Sequence, residues 1–427
     1  MTTTIRPRPR GDALDADLQR FFGMDPAVLA DPFPLYARLR ERGTYRFGER
    51  VLVPGYTAAR EVLTASTTRQ GLAVKSSRFR AAFGELSTED QQRITEIFSF
   101  YEKRPSGVDG ARHNRLRKLA IRAFTPRVIA GMEDRIQAVI AELLDELGAR
   151  REIEFVEEFA YRLPLIVICE MLDIPTDRRD DLRRWSADLG TFVGSTWSDP
   201  DNVRTTHSSV FALREHLREV FGSRREQETT PLLRALLDAQ GDDPGDGEPF
   251  TEDELVAMIT QFVFAGHETT TNLLANSVVA LLRDRRDQWE LLRAQPDAMP
   301  VAVDELLRFA GPTQYIDKIA ADDCVIGGVE VRQWDTVSVM LASANRDAEA
   351  YTDPEVLDLT RREKPHLGFG LGAHHCLGAS LARMEVALVL RILTTRYPGA
   401  RLATDAVEYH RNHMLRGPQR LDMVLAP

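Results

Sequence analysis

Cysteine is scarce in this chain. Three residues, Cys169, Cys324 and Cys376, lie far apart and never form a C-x-x-C pair. That count and spacing exclude a disulfide framework or a Cys-rich zinc module, and a reducing, cytoplasmic setting is expected. Lysine supplies five of the 55 basic residues, and against 65 acidic ones the formal net charge is −10. A generally basic surface for nucleic acid is therefore not expected. Long apolar runs are missing too: the longest, 255–266, carries Thr260 and Gln261 and is well short of the ~20 residues a membrane span needs. The first residues, with Arg6, Arg8 and Arg10 around Pro7 and Pro9, have no apolar core, so neither a secretory signal nor a membrane anchor is expected. Several catalytic signatures are also absent. There is no G-x-x-x-x-G-K-[ST] phosphate loop and no G-x-S-x-G elbow. Gly370-x-Gly372 continues to His375 where a dinucleotide fingerprint needs glycine.

What remains is a chain of 427 residues, 43% hydrophobic and 28% charged, long enough to bury a large core without staples. Residues 1–30 read as an irregular, flexible lead-in. Helical patterning covers 34–42, 57–64, 111–124, 126–147, 156–172 and 203–225, with a short hairpin at 45–53. The stretches 104–110 and 238–249 read as loops. Thr251-Glu252-Asp253-Glu254 has the capping-box pattern and opens a helix of ~30 residues, ~45 Å long, which must cross the whole body of one domain. Strand-like segments follow at 324–331, with Gly327-Gly328 as the turn, and at 337–341 and 421–425. The fold class is mainly α with a minor β region, in one large domain.

Four segments could carry chemistry. Phe369 to Gly378 holds glycines at 370, 372 and 378, His374, His375 and Cys376, just ahead of a helical stretch over 379–395. Glycines there let the backbone approach a flat partner. A helix N-terminus favours thiolate, which suits a nucleophile or a single axial metal ligand; the alternative is an inert buried thiol. In the middle of the long helix, Ala265-Gly266-His267-Glu268-Thr269-Thr270-Thr271 is locally poor helix material. Its acid and alcohol could relay protons, or the segment could be only a polar stripe. The zinc-protease pattern H-E-x-x-H fails at Thr271. Glu305 and Arg308, spaced i,i+3, can pair on one helix face. His113 and Arg117, spaced i,i+4, could hold an anion, and Arg112, Arg115, Lys118 and Arg122 make a basic run on an acidic protein, which is either a docking face or simply solvated.

Together and in this order, these segments resemble the cytochrome P-450 family, the haem-thiolate monooxygenases, in its soluble bacterial form. The F-G-x-G-x-H-x-C-x-G match from Phe369 to Gly378 is complete, and A-G-x-E-T-T, E-x-x-R and H-x-x-x-R accompany it. The likeness spans about 31–425, with 31–427 as the haem-thiolate domain after a flexible 1–30. It implies haem b between the long helix and the cysteine loop, with Cys376 as the axial iron ligand. Thiolate ligation favours O–O cleavage. Glu268 and Thr269 would be the catalytic proton-delivery pair. Ala265 and Gly266 would leave room for dioxygen. Phe369, Gly370 and Gly378 would frame the ligand loop, while His113, Arg117, His374 and Lys318 would hold the propionates. Glu305 and Arg308 would be a structural pair. Electrons would come from NAD(P)H through a ferredoxin reductase and an acidic ferredoxin docked on Arg112, Arg115, Lys118 and Arg122. A monomer with no nucleic-acid or membrane partner is implied.

Three departures from the family pattern stand out. Lys318 replaces the usual propionate-binding Arg. The P-x-R-F segment reads Pro354-Glu355-Val356-Leu357, so its Arg is missing and Glu305 or Arg308 should find another partner, a backbone carbonyl or the region of Arg346. The usual Pro-Pro before His113 reads Asp109-Gly110-Ala111-Arg112. The resemblance implies that substrate specificity comes from 73–106, 187–197, 262–265, 311–316 and the turn at Met414-Leu415, with Phe262, Ala265, Thr313, Tyr315 and Met414 in the pocket. Aromatics in these stretches (Phe79, Phe98, Tyr101, Trp197) mix with Arg, which suggests a ligand more polar than a bare terpene. A secondary-metabolite scaffold (a polyketide, an aromatic or a cyclic peptide) is the expected substrate class. The rival outcomes are radical coupling of aromatic or peptide-derived molecules without oxygen insertion and, from another class, a haem sensor or carrier without turnover.

Overall fold

Residues 13–71, 73–148, 150–175, 178–193, 199–224, 229–238 and 249–426 are described by a computed structural model. The helix Glu252–Val279 is the axis of the molecule. Its capping box is formed as the sequence predicts: Thr251 Oγ1 accepts from the Glu254 N–H at 3.2 Å, and Glu254 Oε2 accepts from the Thr251 N–H at 3.1 Å. Past Val279 the chain widens into a π-helical turn, Ala280–Asp284. Helices that pack against this axis include Thr88–Tyr101, Arg162–Met171, Arg179–Val193, Pro200–Arg224, Met299–Ala310 and Ala379–Arg396. Together with the helices Gly110–Ala123 and Glu133–Leu147 they enclose the largest apolar core. No helix among the described residues is long and apolar enough to cross a membrane.

The β region is small and non-local. A five-stranded sheet runs in the order Tyr45–Phe47, Arg50–Val53, Thr336–Val339, Ile316–Ala320, Thr68–Arg69. The expected hairpin at 45–53 forms its edge, and Arg50–Val53 then pairs in parallel with Thr336–Val339. The second expected hairpin, Cys324–Ile326 with Val329–Val331, turns at Gly327 and Gly328, both at positive φ (+54° and +81°). The predicted strand at 421–425 appears as Asp422–Val424, pairing with Glu152–Glu154.

Four readings of the sequence need correction. Residues 13–30 are not an irregular lead-in. They form the helices Ala13–Phe22 and Pro26–Ala30, and Leu14, Leu18 and Phe21, one helical stripe, are buried in a core with Tyr36, Leu52 and Tyr315. Residues 1–12 lie outside the described residues. The helix predicted over 126–147 is two pieces, Pro126–Ala130 and Glu133–Leu147, separated at Gly131-Met132. That predicted over 156–172 opens with a π turn, Val156–Ala160, before Arg162–Met171. The loop at 104–110 contains a short 3-10 turn, Pro105–Gly107.

The missing P-x-R-F arginine is replaced from five residues downstream. Glu305 and Arg308 form a bidentate pair, at 2.7 and 2.8 Å, with both side chains 2% exposed. Arg308 also donates to the carbonyls of Asn345, Pro354 and Val356. Arg361 Nε then reaches Glu305 Oε1 at 3.2 Å, while its other nitrogens hold the Thr352, Asp353 and Val356 carbonyls. The carbonyl partners match expectation. Arg346 does not join: it pairs with Glu355 and donates to the Phe309 carbonyl.

Candidate active site

The cysteine loop is closed by backbone geometry. The Cys376 N–H donates to the Phe369 carbonyl at 2.9 Å, and the Gly370 N–H donates to Leu367. Gly370 and Gly372 have φ of +68° and +74°, a region costly for any residue with a Cβ. Cys376 opens into an interior cavity of about 270 Å³. Phe369, Gly370, His374, Leu377, Gly378 and Glu385 form its wall on the cysteine side. Phe262, Ala265, Gly266, Thr269 and Thr270 face them from the long helix. His113 and Arg117 stand at one margin, and Thr313 and Ile316 come from the segment that enters the sheet.

Burial pushes the Cys376 thiol up, while the Gly378 N–H and the Arg117 and Arg383 guanidiniums oppose that shift. The Gly378 N–H and the two guanidiniums are the groups here that favour a thiolate, against the desolvation of the sulfur. A coordinating metal deprotonates a thiol outright, so this site suits a metal ligand better than a free nucleophile.

Haem, the group implied by the resemblance, can be tested against these residues. His113 is buried, and its Nε2 has no hydrogen-bond partner among the described residues. Its basicity is lowered by burial, and its Nδ1 meets Asn114. Arg117 donates to the His375 carbonyl at 2.7 Å, which leaves further donors for an anion. A Cβ added at Gly378, in the cavity wall, would meet nothing within 4 Å. An open cradle, a lone sulfur and unspent donors at one margin fit a flat cofactor with acidic side chains.

Not every predicted residue faces this cavity. The Lys318 amine donates to the Val62 and Leu63 carbonyls, capping the end of the helix Tyr56–Thr64, and does not line the cavity wall. Glu268 lies on a different face of the long helix from Thr269. Burial raises its carboxyl above the ordinary range against a hydrogen bond with Asn272, and His267 Nε2 is 3.8 Å away. Thr269 does face the cavity, its hydroxyl donating to the Ala265 carbonyl at 2.9 Å. Thr270 bonds back to Gly266 likewise, whereas Thr271 reaches out to the Ala160 carbonyl. Gly266 serves packing as well as space: a Cβ there would come within 3.3 Å of Ile168 on the neighbouring helix.

His374 Nε2 meets Asp109 Oδ1 at 3.0 Å, and its ring lies 4.3 Å from that of His113. With Nε2 donating to Asp109, Nδ1 can donate to a propionate only in the imidazolium form. Asp109 also accepts from the Gln70 and Gly71 N–H groups. Burial opposes its ionisation, but the His374 and backbone hydrogen bonds hold it below the usual carboxylate range. Asp109 thus ties together the loop before the helix Gly110–Ala123, the Gln70 segment and the cysteine loop. The only sequence signal for it was the departure from Pro-Pro. Glu385, a buried carboxyl in the cavity wall, gave no motif signal.

The basic run divides. Arg115 ion-pairs with Glu254 and donates to the Pro249 carbonyl, and Arg112 sits 3.8 Å from the same Glu254. Arg112 and Lys118 are exposed, and the Arg122 side chain lies outside the described residues, as does Trp197. Of the predicted pocket residues, Phe262, Ala265 and Thr313 line the cavity at Cys376. Tyr315 and Met414 line a second cavity beside it.

A family profile for cytochrome P450 matches residues 81–398. The chain is 37% identical over 412 residues to nocardicin C N-oxygenase of Nocardia uniformis subsp. tsuyamanensis, covering 93% of this chain and 96% of that protein. It is 34% identical over 333 residues to 6-deoxyerythronolide B hydroxylase of Saccharopolyspora erythraea, covering 77% and 80%. Among solved structures, Mycobacterium smegmatis CYP164A2 with econazole bound superposes with a TM-score of 0.84 at 33% identity, covering 96% of this chain and 100% of that one.

Proposed function

This chain belongs to the cytochrome P450 family, and on that premise we propose that it inserts oxygen from O2 into a small organic molecule of secondary metabolism. The observation that carries the reading is one cavity with the Cys376 sulfur on one wall and Ala265, Gly266 and Thr269 on the other. Bound at Cys376, haem supplies dioxygen binding and O–O cleavage, which thiolate ligation favours. His113 Nε2 and the free donors of Arg117 hold its acidic side chains, and His374 is oriented beside them by Asp109. Thr269 holds a hydroxyl at the oxygen-binding wall, and its own proton is engaged by the Ala265 carbonyl in the resting geometry. Glu268, whose carboxyl burial raises above the ordinary range, is the reservoir one residue away on the helix. Electrons come from NAD(P)H through a ferredoxin-type donor, docked near the exposed Arg112 and Lys118. The names of the two curated relatives, an N-oxygenase and a hydroxylase, denote oxygen insertion, which supports insertion over oxygen-free radical coupling.

The test is coupling efficiency. Thr269→Ala should keep its haem, lose about tenfold or more in product per NAD(P)H, and release the difference as hydrogen peroxide. Thr269→Ser should recover most of the coupling. Unchanged coupling in both Thr269→Ala and Glu268→Ala would remove the proton-delivery role. Labelled dioxygen then reads the outcome: label in product supports insertion, and unlabelled product establishes coupling instead.

A further inference from the structure

Beside the cavity at Cys376 lies a second one, of about 170 Å³; Gln70 and Ser106 belong to the walls of both. Most of its lining is apolar or aromatic, including Val74, Phe98, Tyr101, Phe192 and Met414. Arg104 also lines it, and this guanidinium is out of place by ordinary rules, because buried cations are normally paired. Arg104 is 9% exposed, and among the described residues no carboxylate forms an ion pair with it. Its Nε is buried without a hydrogen-bond partner among the described residues. The guanidinium carbon lies over the Tyr101 ring, 3.7 Å from its centre, and the buried Tyr101 hydroxyl, apart from its electrostatic contact with Arg104, makes no hydrogen bond among the described residues. Burial lowers the Arg104 pKa, the expected direction for a cation lacking a counter-ion.

The other charges of this wall do not supply the missing anion. Asp317 is held by Arg50 at 2.9 Å and by the Ser338 hydroxyl, with Arg78 at 3.8 Å. Glu102 lines the cavity but makes no ion pair with Arg104. His413 is kept neutral, its pKa pulled down to about 3 by burial. The wall thus carries Arg78 and Arg104 beside Asp317, already held by Arg50, and Glu102, which forms no ion pair with Arg104 among the described residues.

We propose that this second cavity is an anion subsite, in which Arg104 Nε and the Tyr101 hydroxyl receive the carboxylate of a substrate with an apolar or aromatic body, whose far end reaches the cavity at Cys376. The inference rests on the monooxygenase reading and deepens it by naming the substrate class: an organic acid. Arg104 is then a specificity-determining residue. A neutral analogue would leave a buried cation unpaired, so discrimination against it is built into the wall.

The test pairs each acid with its neutral twin, 4-phenylbutyrate and dodecanoate beside their methyl esters, titrated into the haem-loaded protein by calorimetry. The Soret spin-state shift is followed in parallel. The wild type should bind the acids at least tenfold tighter than the esters. Arg104→Gln should lose about 10- to 100-fold in acid affinity and hold ester affinity within about threefold. Arg104→Lys, which keeps the charge, should retain part of the preference. Equal binding of acid and ester by the wild type, or an acid preference that survives Arg104→Gln, overturns the proposal. The carbon monoxide spectrum of each sample reports separately on the haem-thiolate reading. A normal spectrum with no acid preference defeats only the subsite, and an abnormal wild-type spectrum defeats the parent reading whatever the calorimetry shows.

Discussion

Glu385, on the helix that follows Cys376, is 1% exposed with Oε1 unpartnered among the described residues, and burial pushes its carboxyl up to about 8. The folded chain therefore keeps this proton through neutral pH, whereas the unfolded chain releases it near the ordinary Glu value. The folded state binds more protons between those limits, so this group makes stability fall as pH rises from about 4.5 to about 8, by up to ~1.4 kcal/mol per pH unit. Glu385→Gln removes that slope. Urea unfolding from pH 5 to 8 should show the variant gaining on the wild type as pH rises, and parallel curves would contradict it. The Glu305 cluster gives a second residue-scale prediction. Arg308→Ala leaves a buried carboxylate held only at Oε1, by Arg361 and the Asp358 N–H, and should cost ~3–5 kcal/mol. Arg361→Ala leaves the bidentate pair intact and should cost ~1–2 kcal/mol. Denaturant midpoints measure both, and equal losses would contradict the assigned hierarchy. The sequence showed that the P-x-R-F arginine was absent but could not show its substitute, because Arg361 is brought to Glu305 only by the path of the segment between them.

At the scale of elements, the glycines of the cysteine loop separate backbone strain from cofactor space. Gly372 has a positive φ, and a Cβ there would lie 3.0 Å from the Leu63 carbonyl. Gly372→Ala should lower Tm, at a cost of ~1–2 kcal/mol from the backbone alone. Gly378 has an ordinary φ of −85° and open space beside it. Gly378→Ala should therefore leave the melting of haem-free protein near wild type and lower haem stoichiometry, since its methyl enters the cradle. The reverse pattern would contradict this assignment of the two glycines. The long helix and its capping box were legible because both are local patterns, a Thr-x-x-Glu start and an unbroken apolar run. The helix Ala13–Phe22 had an equally local stripe in Leu14, Leu18 and Phe21, masked by the Pro- and Arg-rich residues just before it. The π turns at Val156–Ala160 and Ala280–Asp284 widen a helix by one residue and leave no signature in hydrophobic spacing.

For the whole molecule, the resemblance placed Cys376, Thr269, His113 and Arg117 around one site, and all four line one cavity. The sheet order, with residues 50–53 beside 336–339, was not legible, since pairing across that separation depends on how the helical body folds between them. Nor was the division of the pocket into two cavities, or the burial of Arg104 without a counter-charge: a sequence shows an arginine but not what fails to reach it. The central claim is that Cys376 holds haem iron as a thiolate. Its direct measurement is the absorption spectrum of the purified, reduced protein under carbon monoxide, beside Cys376→Ala. The account predicts the strongly red-shifted Soret band of a thiolate-ligated carbonyl complex in the wild type and its loss in the variant. A wild-type band at the position of histidine-ligated haem, or a red-shifted band that survives Cys376→Ala, would contradict it.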